Sequence, residues 1–214
     1  MMRLAFLPLI VTVLPATLQA ATPIDGWYSG LLVGYAYIPS NVNKVNNNIR
    51  YTDAAHQPGY LAGGNLGYKN NPMRYEAEVS YLNANVTHFS EQYIRQNNVG
   101  GYNNGVAGTA NVYYDFPGIL SSLEPYLGFG IGYAWLHEQL DNLTPNAQTN
   151  FRIDSSAFVY QGLAGITYNF AENYNLSVGY RYLATPNLFN FGTKFQSHFA
   201  LLGVAYRFDN ARYK

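Results

Sequence analysis

The 214-residue chain contains only 11% charged residues, whereas 16% of its residues are aromatic. Soluble domains average ~25% charged residues, and disordered chains are poor in aromatic residues, so the composition argues against both classes. The formal net charge of zero argues against a basic nucleic-acid-binding surface, and the lack of cysteine excludes disulfides and thiolate chemistry. The composition therefore favours a protein whose apolar and aromatic side chains face outward.

The chain begins with a predicted secretory signal peptide over residues 1–20. Arg3 gives a basic start, residues 4–18 form an apolar run, and small residues follow at Ala20 and Ala21. An N-terminal membrane anchor is the alternative. The apolar run is shorter than the ~20 residues that span a bilayer, and it contains two prolines, so the signal peptide is favoured.

Period-two alternation after residue 21 predicts β-strands. From Leu127 to Trp135 every odd position is large and apolar, while the even positions are Gly or Ala. The segments around Val79, Val178 and Val204 alternate in the same sense. The predicted strands span 26–38, 58–69, 73–88, 104–116, 124–138, 153–169, 174–186 and 195–208.

The connections between these strands favour a membrane barrel over a soluble sandwich. Long polar links (39–57, 89–103, 139–152 and 187–194) alternate with short, turn-rich ones, as expected for eight strands whose two termini lie in the periplasm. Glycine on the small face suits the narrow interior of such a barrel. We therefore predict an all-β fold, an eight-stranded antiparallel up-and-down transmembrane β-barrel over 21–208, followed by a short periplasmic tail at 209–214.

Aromatic residues on the apolar face predict the membrane boundaries. Tyr60 and Tyr68 share a face eight residues apart, roughly 26 Å along a strand, which projects to ~20 Å at the tilt of a barrel strand. Aromatic residues with a polar edge prefer the two membrane interfaces. The predicted location is the outer membrane of a Gram-negative bacterium, in contact with outer-membrane lipid and lipopolysaccharide.

Three segments resemble a known family. The run 26–30 (Gly-Trp-Tyr-Ser-Gly), followed by Val-Gly-Tyr at 33–35, resembles the opening strand of the small outer-membrane β-barrel family, which includes OmpA-like, OmpX-like and opacity-type surface proteins. Residues 125–132 are similar to its mid-barrel strand. Gly203, Tyr206 and Phe208 are similar to the closing strand that the outer-membrane assembly machinery recognises. The family usually ends on the aromatic residue, whereas here residues 209–214 follow Phe208.

The strand alternation directs seven charged side chains into the predicted lumen. A polar pathway for small solutes is one interpretation. A plug of salt bridges is favoured, because eight strands leave no wide pore and confined charges persist when they are paired. The predicted lumen network consists of Lys69, Arg74, Glu76, Glu78, Asp115, Arg181 and Arg207.

Histidines give the candidate catalytic and metal sites. None has a neighbour at close ligand spacing, so interfacial histidines are favoured over a metal site, and no cofactor is predicted. His88 and Ser90, with Glu91 nearby, look like the His-x-Ser arrangement of outer-membrane lipid A deacylases, but alternation turns both residues inward, away from acyl chains. The chain is therefore predicted not to be an enzyme. The four histidines are His56, His88, His137 and His198.

The long links predict where function lies. The first contains five asparagines between 41 and 48, and four more lie within and directly after the second, between 97 and 104. These amides suit hydrogen bonding to a host or matrix ligand, or they are flexible filler. We predict a structural or surface-interaction role, with a narrow small-solute channel as the alternative and a lipid A-modifying enzyme third.

Overall fold

A closed antiparallel sheet is the whole of the described fold. The computed structural model describes residues 25–39, 43–46, 49–91, 94–96, 99–116, 122–142, 150–187 and 194–208. The predicted signal peptide and the tail 209–214 lie outside the described residues, so both stay predictions. In the described part of the chain, no helix is long and apolar enough to cross a membrane.

The described residues form eleven strands. In chain order these are β1 (Gly26–Tyr37), β2 (Asn43–Asn46), β3 (Ile49–His56), β4 (Gly59–Asn70), β5 (Met73–Glu91), β6 (Ile94–Gln96), β7 (Val99–Asp115), β8 (Leu123–Asn142), β9 (Asn150–Asn169), β10 (Tyr174–Asn187) and β11 (Lys194–Arg207).

Eight of these strands close into a ring. The ring runs β1, β4, β5, β7, β8, β9, β10, β11 and back to β1, with each strand antiparallel to both neighbours. Closure is made by β1 and β11, which are paired from Tyr28 opposite Arg207 to Tyr37 opposite His198. The predicted eight-stranded up-and-down barrel is confirmed.

The long polar links at 39–57 and 89–103 contain strands that the sequence analysis did not predict. The first contains β2 and β3, and the second contains β6 and the start of β7. β3 pairs with β5, while β2 pairs with β3 and β6 with β5. These segments are polar and lack an alternating apolar face, so periodicity gives no signal for them. Their backbone pairing continues from strands that already extend beyond the apolar part of the barrel.

The barrel has two distinct ends. The turn end carries the short connections 71–72, 116–122 and 170–173 together with Gly26 and Arg207. The loop end carries the long connections and the sheet formed by β2, β3, β6 and the end of β5, which we call the loop-end extension.

An apolar belt covers the outside of the barrel between these two ends. Outward side chains that are about half exposed or more include Leu31, Val33, Val79, Leu127, Phe129, Ile166 and Val178. Exposed aromatic residues lie at both margins of the belt, such as Trp27, Tyr75 and Tyr174 at the turn end and Tyr35, Tyr60 and Trp135 at the loop end. This is the distribution expected of a surface that contacts lipid.

Candidate functional site: the barrel lumen

Charged residues fill the turn-end half of the lumen, which we call the charged layer. Lys69 lies in this layer with its Nζ 2.7 Å from Glu124 Oε2 and 3.1 Å from Asp115 Oδ2. Arg74 also reaches Asp115, with an Nη2–Oδ1 distance of 3.2 Å. Asp115 therefore bridges two cations from two different strands, which ties β4, β5 and β7 together across the interior.

The most enclosed ion pair joins Arg181 on β10 to Glu78 on β5. The guanidinium donates two hydrogen bonds to the carboxylate, at 2.7 and 2.6 Å. The two side chains are 1% and 0% exposed. Parallel hydrogen bonds between a guanidinium and a carboxylate are among the stronger and more directional polar contacts in proteins. The pair thus links opposite walls of the barrel.

Glu76 is held mainly by hydroxyl groups. Tyr28 and Tyr113 donate hydrogen bonds to its carboxylate at 2.8 and 3.0 Å, and Arg74 Nη1 lies 4.0 Å away. The Arg74 guanidinium also stacks over the Tyr113 ring, 4.2 Å from its centroid. Burial of this carboxylate is therefore compensated by side chains from β1, β7 and its own strand β5.

Inward glycines make room for the inward rings. A Cβ at Gly67 would overlap the ring of Tyr28, and a Cβ at Gly128 would overlap the ring of Tyr113. The sequence analysis attributed the glycines of the small face to a narrow lumen. The structure gives the physical reason, because each of these positions receives a large side chain from an adjacent strand.

Arg207 lies in the lumen but differs from the other three cations. Its Nη2 donates to Asn169 Oδ1 at 2.8 Å, and no carboxylate of the described residues lies within 4 Å of it.

All seven charged residues named by the sequence analysis lie in the interior. Glu124 was missed because a strand was predicted to begin there, although the inward alternation of Gly128 and Gly130 extends to it.

The loop-end half of the lumen is mainly apolar, although Ser80, Thr185 and Ser197 are buried at the same level, and the sequence analysis did not anticipate this. We call this group the apolar layer. Its fully or almost fully buried members come from seven of the eight barrel strands and contact one another. They are Leu32, Ala36, Ile38, Leu61, Leu82, Ala84, Ala134, Leu136, Ala157, Val159, Leu183, Phe195 and Phe199. The interior is therefore stratified, with ion pairs at the turn end and hydrocarbon at the loop end.

The described histidines lie on the outer face of the loop end. His137 contacts Asp154 through Nδ1, and His198 Nδ1 lies 2.6 Å from the Tyr180 hydroxyl. The described residues contain no cluster of three His, Asp or Glu side chains that could hold a metal ion.

The side chains of His56, His88, Ser90 and Glu91 lie outside the described part of the chain. The backbone alone places His88 and Ser90 in β5, opposite Ala55 and Thr52 of β3. The pairing is irregular between these positions.

The residues of the predicted assembly signal lie at the turn end of β11. The Tyr206 ring contacts the Tyr174 ring in a tilted arrangement and the Phe208 ring edge-on, with ring centroids 4.9 and 5.5 Å apart. The Phe208 backbone N–H donates to Trp27 O at 2.8 Å, next to the closing β1–β11 seam. Gly203 faces inward beside Ser177. Their role in assembly stays a prediction.

Comparison with known proteins places the chain in a family. The family model of the outer membrane protein beta-barrel domain matches residues 6–208 of this chain. The chain belongs to this outer-membrane barrel family. One relative is an uncharacterized protein of Brucella abortus (strain 2308), 26% identical over 194 residues that cover 75% of this chain and 68% of that protein. An outer membrane protein of Gluconacetobacter diazotrophicus is 26% identical over 208 residues, covering 84% of this chain and 53% of the relative.

The fold of this chain is also similar to the folds of outer-membrane barrels whose structures have been solved. Neisserial surface protein A superposes with a TM-score of 0.57 at 18% identity, over 86% of this chain and 98% of the other. At this identity the likeness shows the fold alone. Together with the family match, it confirms the predicted Gram-negative outer-membrane location, and it assigns the apolar belt to contact with lipid.

Proposed function

We propose that this outer-membrane barrel acts as a surface-interaction protein, with a lumen that does not conduct and a loop-end extension that binds a ligand outside the cell. In this proposal the turn end faces the periplasm and the loop end faces the exterior. The observation that carries the proposal is the stratified lumen. A solute would have to cross both a layer of ion pairs and a layer of packed hydrocarbon.

The two layers oppose transport for different reasons. In the charged layer, any passage must break ion pairs whose partners would be left unpaired in a confined interior, which is costly. In the apolar layer, an ion would lose its hydration without receiving polar contacts in return. Phe195 and Phe199 are both at most 2% exposed, so side chains fill this level of the barrel.

The loop-end extension offers a site for recognition. β2, β3 and β6 continue the sheet beyond the apolar belt, so the extension would stand in the external medium. Segments that project from a rigid scaffold are common binding sites. The asparagine-rich links beside these strands suit hydrogen bonding to glycans or matrix proteins.

The test is adhesion by the purified barrel in lipid nanodiscs, applied to host cells and matrix-coated surfaces. Replacing residues 40–57 by a short turn should lower binding at least about tenfold, because it removes β2 and β3. A matched control shortens the connection 143–149 and should retain binding. Equal binding by the two variants, or no binding by the intact barrel, would contradict the surface-interaction role.

Planar-bilayer recordings test the lumen separately. The intact barrel should give no conductance steps, and Phe199→Ala combined with Leu82→Ala should stay silent as well, because it opens only the apolar layer and the charged layer still closes the lumen. Regular conductance steps from the intact protein would instead favour the small-solute channel.

A further inference from the structure

We propose that the charged layer contains a binding site for one small anion, a halide or a compact oxyanion, that enters from the turn end. A cavity of about 60 Å³ lies within this layer. One water molecule needs about 10–15 Å³ on the same measure, so the cavity has room for a small anion together with a few water molecules.

The atoms around the cavity favour an acceptor as its occupant. Four buried polar atoms of residues that line it have no hydrogen-bond partner within the protein. Three of them are guanidinium N–H donors, and the fourth is an amide oxygen. An unsatisfied buried donor is costly, and a charged donor more so, which makes an anion the best match. The four atoms are Arg74 Nε, Arg181 Nε, Arg207 Nη1 and Asn65 Oδ1.

Arg207 is the anchor of the proposed site. It is 3% exposed, and it alone among the four lumen cations has no carboxylate of the described residues within 4 Å. Its one assigned partner is the neutral amide of Asn169. Asn169 Nδ2 also has no partner in the protein and is buried beside the same guanidinium. Asn169 does not line the cavity, so Arg207 Nη1 is the donor that this pair of side chains offers to an occupant.

The carboxylates that share the cavity do not exclude an anion. Asp115 and Glu124 both line it, but Lys69 contacts both of them at 3.1 and 2.7 Å. Glu76 and Glu78 are engaged by two tyrosine hydroxyls and by Arg181, respectively. In a layer of four cations and four carboxylates, Arg207 is thus the one cation that no described carboxylate contacts within 4 Å.

The described residues of the lumen place access to this site at the turn end. The apolar layer separates the cavity from the loop end. At the turn end, the Arg74 side chain borders the cavity and is 15% exposed, so solvent reaches it. The site would therefore exchange with the periplasm, independently of any ligand at the loop-end extension.

The test uses the full chain folded in detergent micelles and measures the ³⁵Cl NMR linewidth, which broadens when chloride exchanges with a protein site. The ³⁵Cl resonance of chloride should be broader in the presence of the barrel than in micelles alone. Sodium nitrate should reverse the broadening, whereas sodium gluconate at equal ionic strength should not, because gluconate is far bulkier than a halide or nitrate. Arg207→Gln should weaken chloride binding at least about tenfold, since a charged hydrogen bond is lost.

Two further variants control for charge and folding. Arg95→Gln, in β6 of the loop-end extension, makes the same chemical change at the opposite end and should leave broadening intact. Arg207→Lys should restore part of the binding lost in Arg207→Gln. Equal competition by nitrate and gluconate, or equal broadening by Arg207→Gln and Arg95→Gln, would overturn the proposal and leave water as the occupant. If Arg207→Gln does not fold, the nitrate–gluconate comparison on the intact barrel decides alone.

Discussion

The ion pair between Glu78 and Arg181 should be among the most sensitive points of the barrel. Glu78→Gln removes the negative charge but preserves the shape, which leaves Arg181 charged at 1% exposure. Two hydrogen bonds to a charged group, at 2.7 and 2.6 Å, are each worth about 1.5–3 kcal/mol. We therefore expect unfolding to become easier by about 3–5 kcal/mol, the range found when one partner of a buried pair is removed.

A double-mutant cycle separates the pair from the fold around it. Arg181→Met should cost about the same as Glu78→Gln, but the double variant should cost clearly less than the sum, because no charge is then left unpaired. The assay is urea titration in lipid vesicles, with the folded fraction read from heat-modifiable gel mobility. Glu172→Gln makes the same change in an exposed turn and should stay within about 0.5 kcal/mol. A Glu78→Gln cost as small as this control, or additive single costs, would refute the reasoning.

Three further predictions address lipid contact, assembly and orientation. Val79 is 62% exposed on the outer face, so Val79→Arg places a charge in lipid and should destabilise the folded barrel by about 2–4 kcal/mol in the same titration. Val79→Ile is the control and should not destabilise it. Equal stability of the two variants would contradict the assignment of the lipid-facing side. Phe208→Ala should sharply lower the heat-modifiable barrel in outer-membrane fractions, while deletion of 209–214 should not, and the reverse result would move the assembly signal into the tail. Protease added to intact cells should cut within 39–57 and spare 70–72, whereas cleavage at 70–72 alone would invert the orientation.

The outer face of the barrel could be predicted from sequence, because lipid imposes a period of two on every strand. The alternation from Leu127 to Trp135 predicted β8 and its lipid-facing side chains correctly. The extension strands β2 and β6 could not be found in this way. They are polar, and their pairing depends on the neighbouring chain rather than on their own pattern.

The interior was only partly predictable. Charged residues are easy to recognise at inward positions of the strand alternation, so the inward placement of the seven lumen charges could be predicted. The apolar layer was missed because Leu32 and Leu82 stand next to apolar lipid-facing residues, and a strand that is apolar on both faces loses its alternation. The separation of Arg207 from every described carboxylate depends on distances across the barrel, which no local pattern encodes.

The fit between inward rings and inward glycines also bears on how the barrel is assembled. Tyr28 lies opposite Gly67, where a Cβ would overlap its ring. A slip of two residues between β1 and β4 keeps every side chain on its own face, so lipid contact alone would not oppose it. That slip would set the Tyr28 ring against Asn65 or Lys69 instead of a glycine. A misaligned hairpin would therefore be less stable than an aligned one, which gives the assembling barrel a thermodynamic means of error correction.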